Sequence, residues 1–231
     1  MKAKRTYHYL LTLLCCMYAT SMHANRRVHV KFQPTFENKE ILLNTLYRSS
    51  LGDSLQLSTF RWYISHVQLR HQHQVVSVYP KQAILMDLAD RSSLQFEITV
   101  DDSVQFNEIQ FGVGIDSVTN DAGVHGGDLD PTKGMYWAWQ SGYINLKLEG
   151  SFSSAKHSPT KFEFHLGGFL APFNAYQTAR IPVHSADSLI LNWRFDSFFS
   201  TSECMQHAHI MSPGSVAVKM SEFLASQFSC L

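Results

Sequence analysis

The chain has 231 residues, with 19 basic and 19 acidic side chains and 12 histidines. That balance excludes a broad basic surface able to neutralise a nucleic-acid backbone, so no nucleic-acid partner is expected. Beyond the N-terminus no run stays apolar for the about 18 residues a membrane helix needs, so no membrane span is expected either.

In chain order, Lys2, Lys4 and Arg5 precede an apolar run from Tyr9 to Tyr18, with small residues at Ala19, Ser21 and Ala24. This is the layout of a cleaved export signal. Residues 1–24 are therefore expected to be removed, leaving residues 25–231 as one periplasmic or secreted domain. Of the four cysteines only Cys204 and Cys230 follow the signal. In an oxidising compartment a disulfide joining them is the first expectation.

Period-two alternation then dominates. Val28, Val30 and Phe32 alternate with His29 and Lys31, and Leu94, Phe96, Ile98 and Val100 with Gln95, Glu97 and Thr99. Ile109, Phe111, Val113 and Ile115 form another apolar row. So do Ile144, Leu146 and Leu148, then Phe162, Phe164 and Leu166, then Leu189, Leu191, Trp193 and Phe195. Such rows mark strands with one buried and one wet face. Six or more of them, punctuated by Gly, Asn, Asp and Ser, predict an all-β fold, an antiparallel β-sandwich. Near the C-terminus Ser212-Pro213-Gly214 reads as a helix start, with Ser212 as cap and Pro213 at the first helical position. Val216, Met220, Phe223, Leu224 and Phe228 follow at helical spacing, predicting a short amphipathic C-terminal helix.

Side-chain chemistry concentrates between Gly123 and Tyr143, in a loop-like stretch between two strand-like rows. Core formation alone does not require His125, Asp128, Asp130, Met135, Trp137 and Trp139 there, and loops on rigid scaffolds are where binding residues gather. Asp116, Asn120, Asp121, Asp128 and Asp130 could offer oxygen ligands to calcium, or cap turns through local hydrogen bonds. Trp137 and Trp139 would share one face if the segment is extended, as a hydrophobic lid or as part of a site. His165 lies on the polar face of its row, just before Gly167 and Gly168. His207, His209 and Met211 form a His-x-His-x-Met run beside Cys204, an imidazole and thioether mixture suited to Cu(I). His66 and His125 are weaker ligand candidates, and His71 and His73 read as an exposed turn. No Gly-x-Ser-x-Gly elbow, His-Glu-x-x-His or phosphate-cradling glycine loop is present, so no catalytic residue is nominated and an enzyme is not expected.

Several of these pieces together resemble the MbnP-like proteins, relatives of copper-binding proteins found beside methanobactin and methanotroph copper genes. They are Arg61-Trp62-Tyr63-Ile64-Ser65, Phe111-Gly112-Val113-Gly114-Ile115-Asp116, Leu129-Asp130-Pro131, Gly134-Met135-Tyr136-Trp137-Ala138-Trp139, Gly142-Tyr143, Leu148-Glu149-Gly150, His165-Leu166-Gly167-Gly168 and Met211-Ser212-Pro213-Gly214. The resemblance spans nearly all of residues 25–231. It implies a β-sandwich with an extracytoplasmic copper site built from histidine and a tryptophan oxidised to kynurenine. It also implies a di-haem partner similar to cytochrome c peroxidase. By residue it points to Trp137 or Trp139 as the modified position and His165 as an imidazole ligand. The second histidine is open among His125, His207 and His209.

Two functional readings follow. One is an exported, non-catalytic copper-binding protein for scavenging, storage or transfer. The other is a metal-free interaction module that uses the aromatic loop, since Trp and Tyr with a polar rim favour binding surfaces.

Overall fold

The computed structural model describes residues 24–49, 52–140, 142–154, 157–199 and 207–231. The expected signal segment up to residue 23, and Cys204 of the expected disulfide, lie outside the described residues. Cys230 is half-buried.

Strands follow the alternating rows closely. They are β1 (Asn25–Phe36), β2 (Lys39–Glu40), β3 (Tyr47–Arg48), β4 (Ser54–His71), β5 (Gln74–Val78), β6 (Ala83–Asp87), β7 (Gln95–Asp101) and β8 (Glu108–Val113). After a short helix α1 (Ser117–Asp121) come β9 (Tyr136–Trp137), β10 (Gly142–Ser154), β11 (His157–Gly167), β12 (Gln177–Pro182), β13 (Ser188–Arg194) and β14 (His209–Ile210). Helix α2 (Ser215–Ala225) and β15 (Phe228–Cys230) complete the described chain.

Two sheets face one another. In the smaller, β15, β13, β1 and β2 lie in that order, with β7 also paired to β1. In the larger, the order is β12, β8, β4, β10, β11 and β14, with β3, β5 and β6 on β4 and β9 on β10. This is the expected all-β sandwich. Most pairings are antiparallel, but β1 runs parallel to β13 and β14 runs parallel to β11. The long strand β4 reaches so many neighbours because a bulge between Ser65 and Gln68 lets it change course mid-strand.

The core between the sheets is aromatic. Trp62 and Phe60 of β4 meet Trp193 of β13 with ring centroids 5.3 and 5.5 Å apart, and Phe32 of β1 meets Phe111 of β8 at 5.2 Å. Trp193 is fully buried, stacks on Phe228 at 4.4 Å and donates its indole N–H to the Leu224 carbonyl over 2.8 Å. One ring thereby ties β13, the C-terminal helix and β15 together.

The C-terminal helix is present but starts later than its sequence suggests. Gly214, not Ser212, occupies the N-cap, and Pro213 precedes the helix. Ala217, Met220 and Leu224 form its buried stripe, while Phe228 has left the helix for β15. The local Ser-Pro signal was overridden because Pro213 packs beside β11, its side chain close to Gly168.

Replacing Trp193 by alanine removes this shared ring and its hydrogen bond. A loss of about 3–5 kcal/mol is expected, read as a lower midpoint in urea denaturation.

Candidate functional site

The outer face of the larger sheet carries the site. Tyr63 of β4 and Tyr143 of β10 point away from the main core, and with Ile115, Leu129, Met135, Trp137 and Ile144 they build a second, smaller apolar cluster. Residues 115–140 form its roof. An irregular roof leaves backbone groups that a ladder would have paired, and buried ones must find other partners. Side chains supply them. The Asn120 amide donates to the Ile115 carbonyl at 2.9 Å and its oxygen accepts from the Tyr143 N–H at 2.9 Å. The Asn145 oxygen accepts from the Ile115 N–H at 2.9 Å. Tyr143 Oη donates to the Leu129 carbonyl and accepts from the His125 N–H, both at 3.0 Å. Tyr63 Oη donates to the Asp128 carbonyl at 3.1 Å. Burial pushes the Tyr63 hydroxyl well above its ordinary range, with Tyr143 and the nearby aspartates adding to the effect.

The oxygen-rich loop residues therefore serve the roof, and they do not gather into the calcium cradle that sequence allowed. Asp116 caps helix α1, accepting from the Thr119 N–H at 3.0 Å, and pairs with His66 Nε2 at 2.6 Å. Asp128 binds Lys133 at 3.0 Å and Lys81 at 3.4 Å. Asp130 caps the turn at Thr132, and Asp121 closes the short helix. Among the described residues no three His, Cys, Asp or Glu side chains are grouped as a metal would need.

The Trp-x-Trp pair departs from the expected extended geometry. Only Tyr136 and Trp137 are extended, and the chain then turns, with Gln140 N–H bonded to the Trp137 carbonyl. The rings stay neighbours at 6.1 Å, but Trp137 is 5% exposed and Trp139 is 68% exposed. Trp137 alone acts as a lid. Its six-membered ring lies on Gly167 of β11, where an added Cβ would sit 2.7 Å from Cζ3 and 2.9 Å from Cη2.

His165 is two residues earlier on the same strand, so it projects from the same face as the Gly167 position under Trp137. It is buried on the otherwise polar outer face, and its Nε2 lies 2.7 Å from Glu149 Oε1 on β10. Glu149 and Glu163 are direct cross-strand partners, a like-charge pairing that costs stability unless countered. Lys147, 3.7 Å from Glu149, counters the first by charge, and His165 and His209 each meet one of the carboxylates, His209 Nδ1 lying 3.1 Å from Glu163 Oε2. Burial alone would raise the Glu149 carboxyl, but hydrogen bonds from His165 and Thr59 and the Lys147 charge hold it below its ordinary range.

Of the sequence candidates, Trp137 and His165 come together on one face, with Trp139 beside the former and His209 one strand beyond the latter. His207 is exposed. His125 is held within the roof, its Nε2 3.2 Å from the Thr119 carbonyl oxygen. His73 is exposed in the β4–β5 turn, as expected, whereas His71 ends β4 half-buried, with a buried Nδ1 that has no hydrogen-bond partner among the described residues. Glu149 had no visible role in sequence; its place on the Lys147 face was legible, but its partner was not. Beside Trp137 an apolar cavity of ≈ 280 Å³ opens between Phe169, Leu170, Phe173 and Pro213.

The structure thus defines a β-sandwich protein whose outer face joins a buried tryptophan lid to a carboxylate-anchored histidine. The family model for MbnP matches residues 25–212, and the chain belongs to the MbnP family. Among solved structures it is similar to MbnP from Methylosinus trichosporium, at 13% identity and a TM-score of 0.53 over 84% of this chain and 82% of that one. At that identity the likeness shows the shared fold alone. No curated protein matches the chain.

Two outcomes are expected from this geometry. Gly167→Ala forces Trp137 off the strand, so in a Trp139→Phe background the remaining fluorescence becomes more accessible to iodide quenching. The second concerns acid. Hydrogen bonds from His66 and Thr119, opposed by burial, lower the Asp116 carboxyl from 3.8 to about 2. A depressed carboxyl contributes stability that is present above its unfolded value and is lost as pH falls toward the folded one. Wild-type stability should therefore drop more steeply than that of Asp116→Asn between pH 3.8 and about 2, followed by urea denaturation at stepped pH.

Proposed function

We propose that this protein is an exported, non-catalytic copper-binding protein, with copper as cargo for scavenging, storage or transfer. The observation that carries the reading is the state of His165. Its Nε2 lies 2.7 Å from Glu149 Oε1, and a carboxylate behind an imidazole is the usual support of a metal-ligating histidine, whose other ring nitrogen takes the metal.

Trp137 is the ring placed for such a site, since it rests on Gly167 along the His165 face, whereas Trp139 is turned to solvent. Indole offers only an N–H donor. Oxidative cleavage of the indole C2–C3 bond by two equivalents of peroxide, with the C2 carbon then released as formate by hydrolysis, would leave the amine and carbonyl of kynurenine at that place, and a di-haem partner similar to cytochrome c peroxidase is proposed to catalyse it. Export through a cleaved residue 1–24 segment belongs to the same reading. No helix among the described residues is long and apolar enough to cross a membrane.

A metal-free alternative has one observation in its favour, the apolar cavity beside Trp137 flanked by exposed Trp139, Leu170 and Phe173. It would take a small apolar ligand or an aromatic side chain of a partner.

The deciding experiment is a Cu(I) titration of the mature protein, made with and without the di-haem partner and paired with peptide mapping for kynurenine. Stoichiometric uptake is expected, abolished in His165→Ala and weakened about 10–100-fold in Glu149→Ala. A mature protein that takes up no copper under reducing conditions in either state would leave the cavity reading in its place.

A further inference from the structure

Strand β14 is only two residues long, and its position matters more than its length. It runs parallel to β11 with Glu163 opposite His209 and Phe164 opposite Ile210. Residues paired in register across two strands project to the same face, and the 3.1 Å contact between His209 and Glu163 fixes that face as the outer one. The pairing ends at Phe164 and Ile210, and its continuation by one step along both chains would bring Met211 to the position beside His165. The two segments stay together beyond that point, because the Pro213 Cβ lies 2.9 Å from where a Cβ on Gly168 would be. Met211 is partly exposed, at 45%, at the rim of the face on which Trp137 rests. Continued in this register, the strand pairing puts a thioether on the same outer face as the His165 imidazole.

We propose that Met211 is a thioether ligand that joins His165 in holding Cu(I). This rests on the copper reading above and adds to it a donor from a segment far from the aromatic loop. Soft thioether sulfur favours the monovalent ion. A ligand just beyond a two-residue edge strand also leaves one side of the site on a part of the fold with few ladder bonds, suited to letting an ion in and out.

The test compares the copper-loaded mature protein with Met211→Leu, which keeps the apolar volume and removes only the sulfur. X-ray absorption should show a sulfur scatterer in the wild-type copper shell and none in the variant. Cu(I) affinity, measured by competition with a chromophoric chelator, should fall about tenfold or more, equivalent to about 1.4 kcal/mol. Circular dichroism and urea midpoints should not change. If wild type binds copper with no sulfur in its shell, or if the sulfur signal persists in Met211→Leu, the assignment is overturned while the copper reading stands. Unchanged affinity in the variant overturns it equally. Failure of wild type to bind copper at all removes both.

Discussion

The outer face of the large sheet cannot be left wet at Tyr63, Tyr143 and Ile144, and that constraint organises everything functional in this protein. Covering those side chains needs a roof, and the roof has to be irregular because it spans from the end of β8 to the start of β10 across the ends of several strands. Irregular backbone under burial must find hydrogen bonds outside any ladder. Asn120, Asn145, Tyr63 and Tyr143 provide them, each reaching a carbonyl or N–H of the roof. The roof is thereby hydrogen-bonded to the sheet, and Trp137 descends from it onto Gly167.

The glycines at this junction follow from the same constraint. Gly114 has a backbone φ of +105° and an added Cβ there would sit 2.4 Å from the Asn145 side chain. The chain can leave β8 and enter the roof only with no side chain at that point. Gly167 is needed for a different reason: Trp137 and the Tyr143 carbonyl both approach within 2.7 Å of where its Cβ would be. Both positions are bare because another group already fills the space.

Beyond the roof the outer face changes character. Glu149 and Glu163 face one another, with Lys147 beside the first and a histidine in contact with each. In this arrangement the Nε2 of His165 is held 2.7 Å from the Glu149 carboxylate. The lid, the anchored imidazole and the neighbouring thioether segment lie in a row at the edge of one sheet. The proposals about copper draw on that row and on family membership together.

Local sequence determined a good deal. Alternation placed β1, β7, β8, β10, β11 and β13, because one buried and one wet face impose period two on any such strand. It also set His165 on the polar face and marked the Gly123–Tyr143 stretch as loop-borne chemistry. Which polar residues would meet was decided only by tertiary structure. Glu149 reaches His165 through the β10–β11 register, and Asp116 reaches His66 across the bulge in β4. Burial of Trp137 and exposure of Trp139 came from a turn where sequence suggested extension. The helix start moved past Pro213 because that proline packs beside β11. Periodicity is a property of a single strand, whereas register, turns and neighbours belong to several segments at once, and no one segment carries enough information to set them.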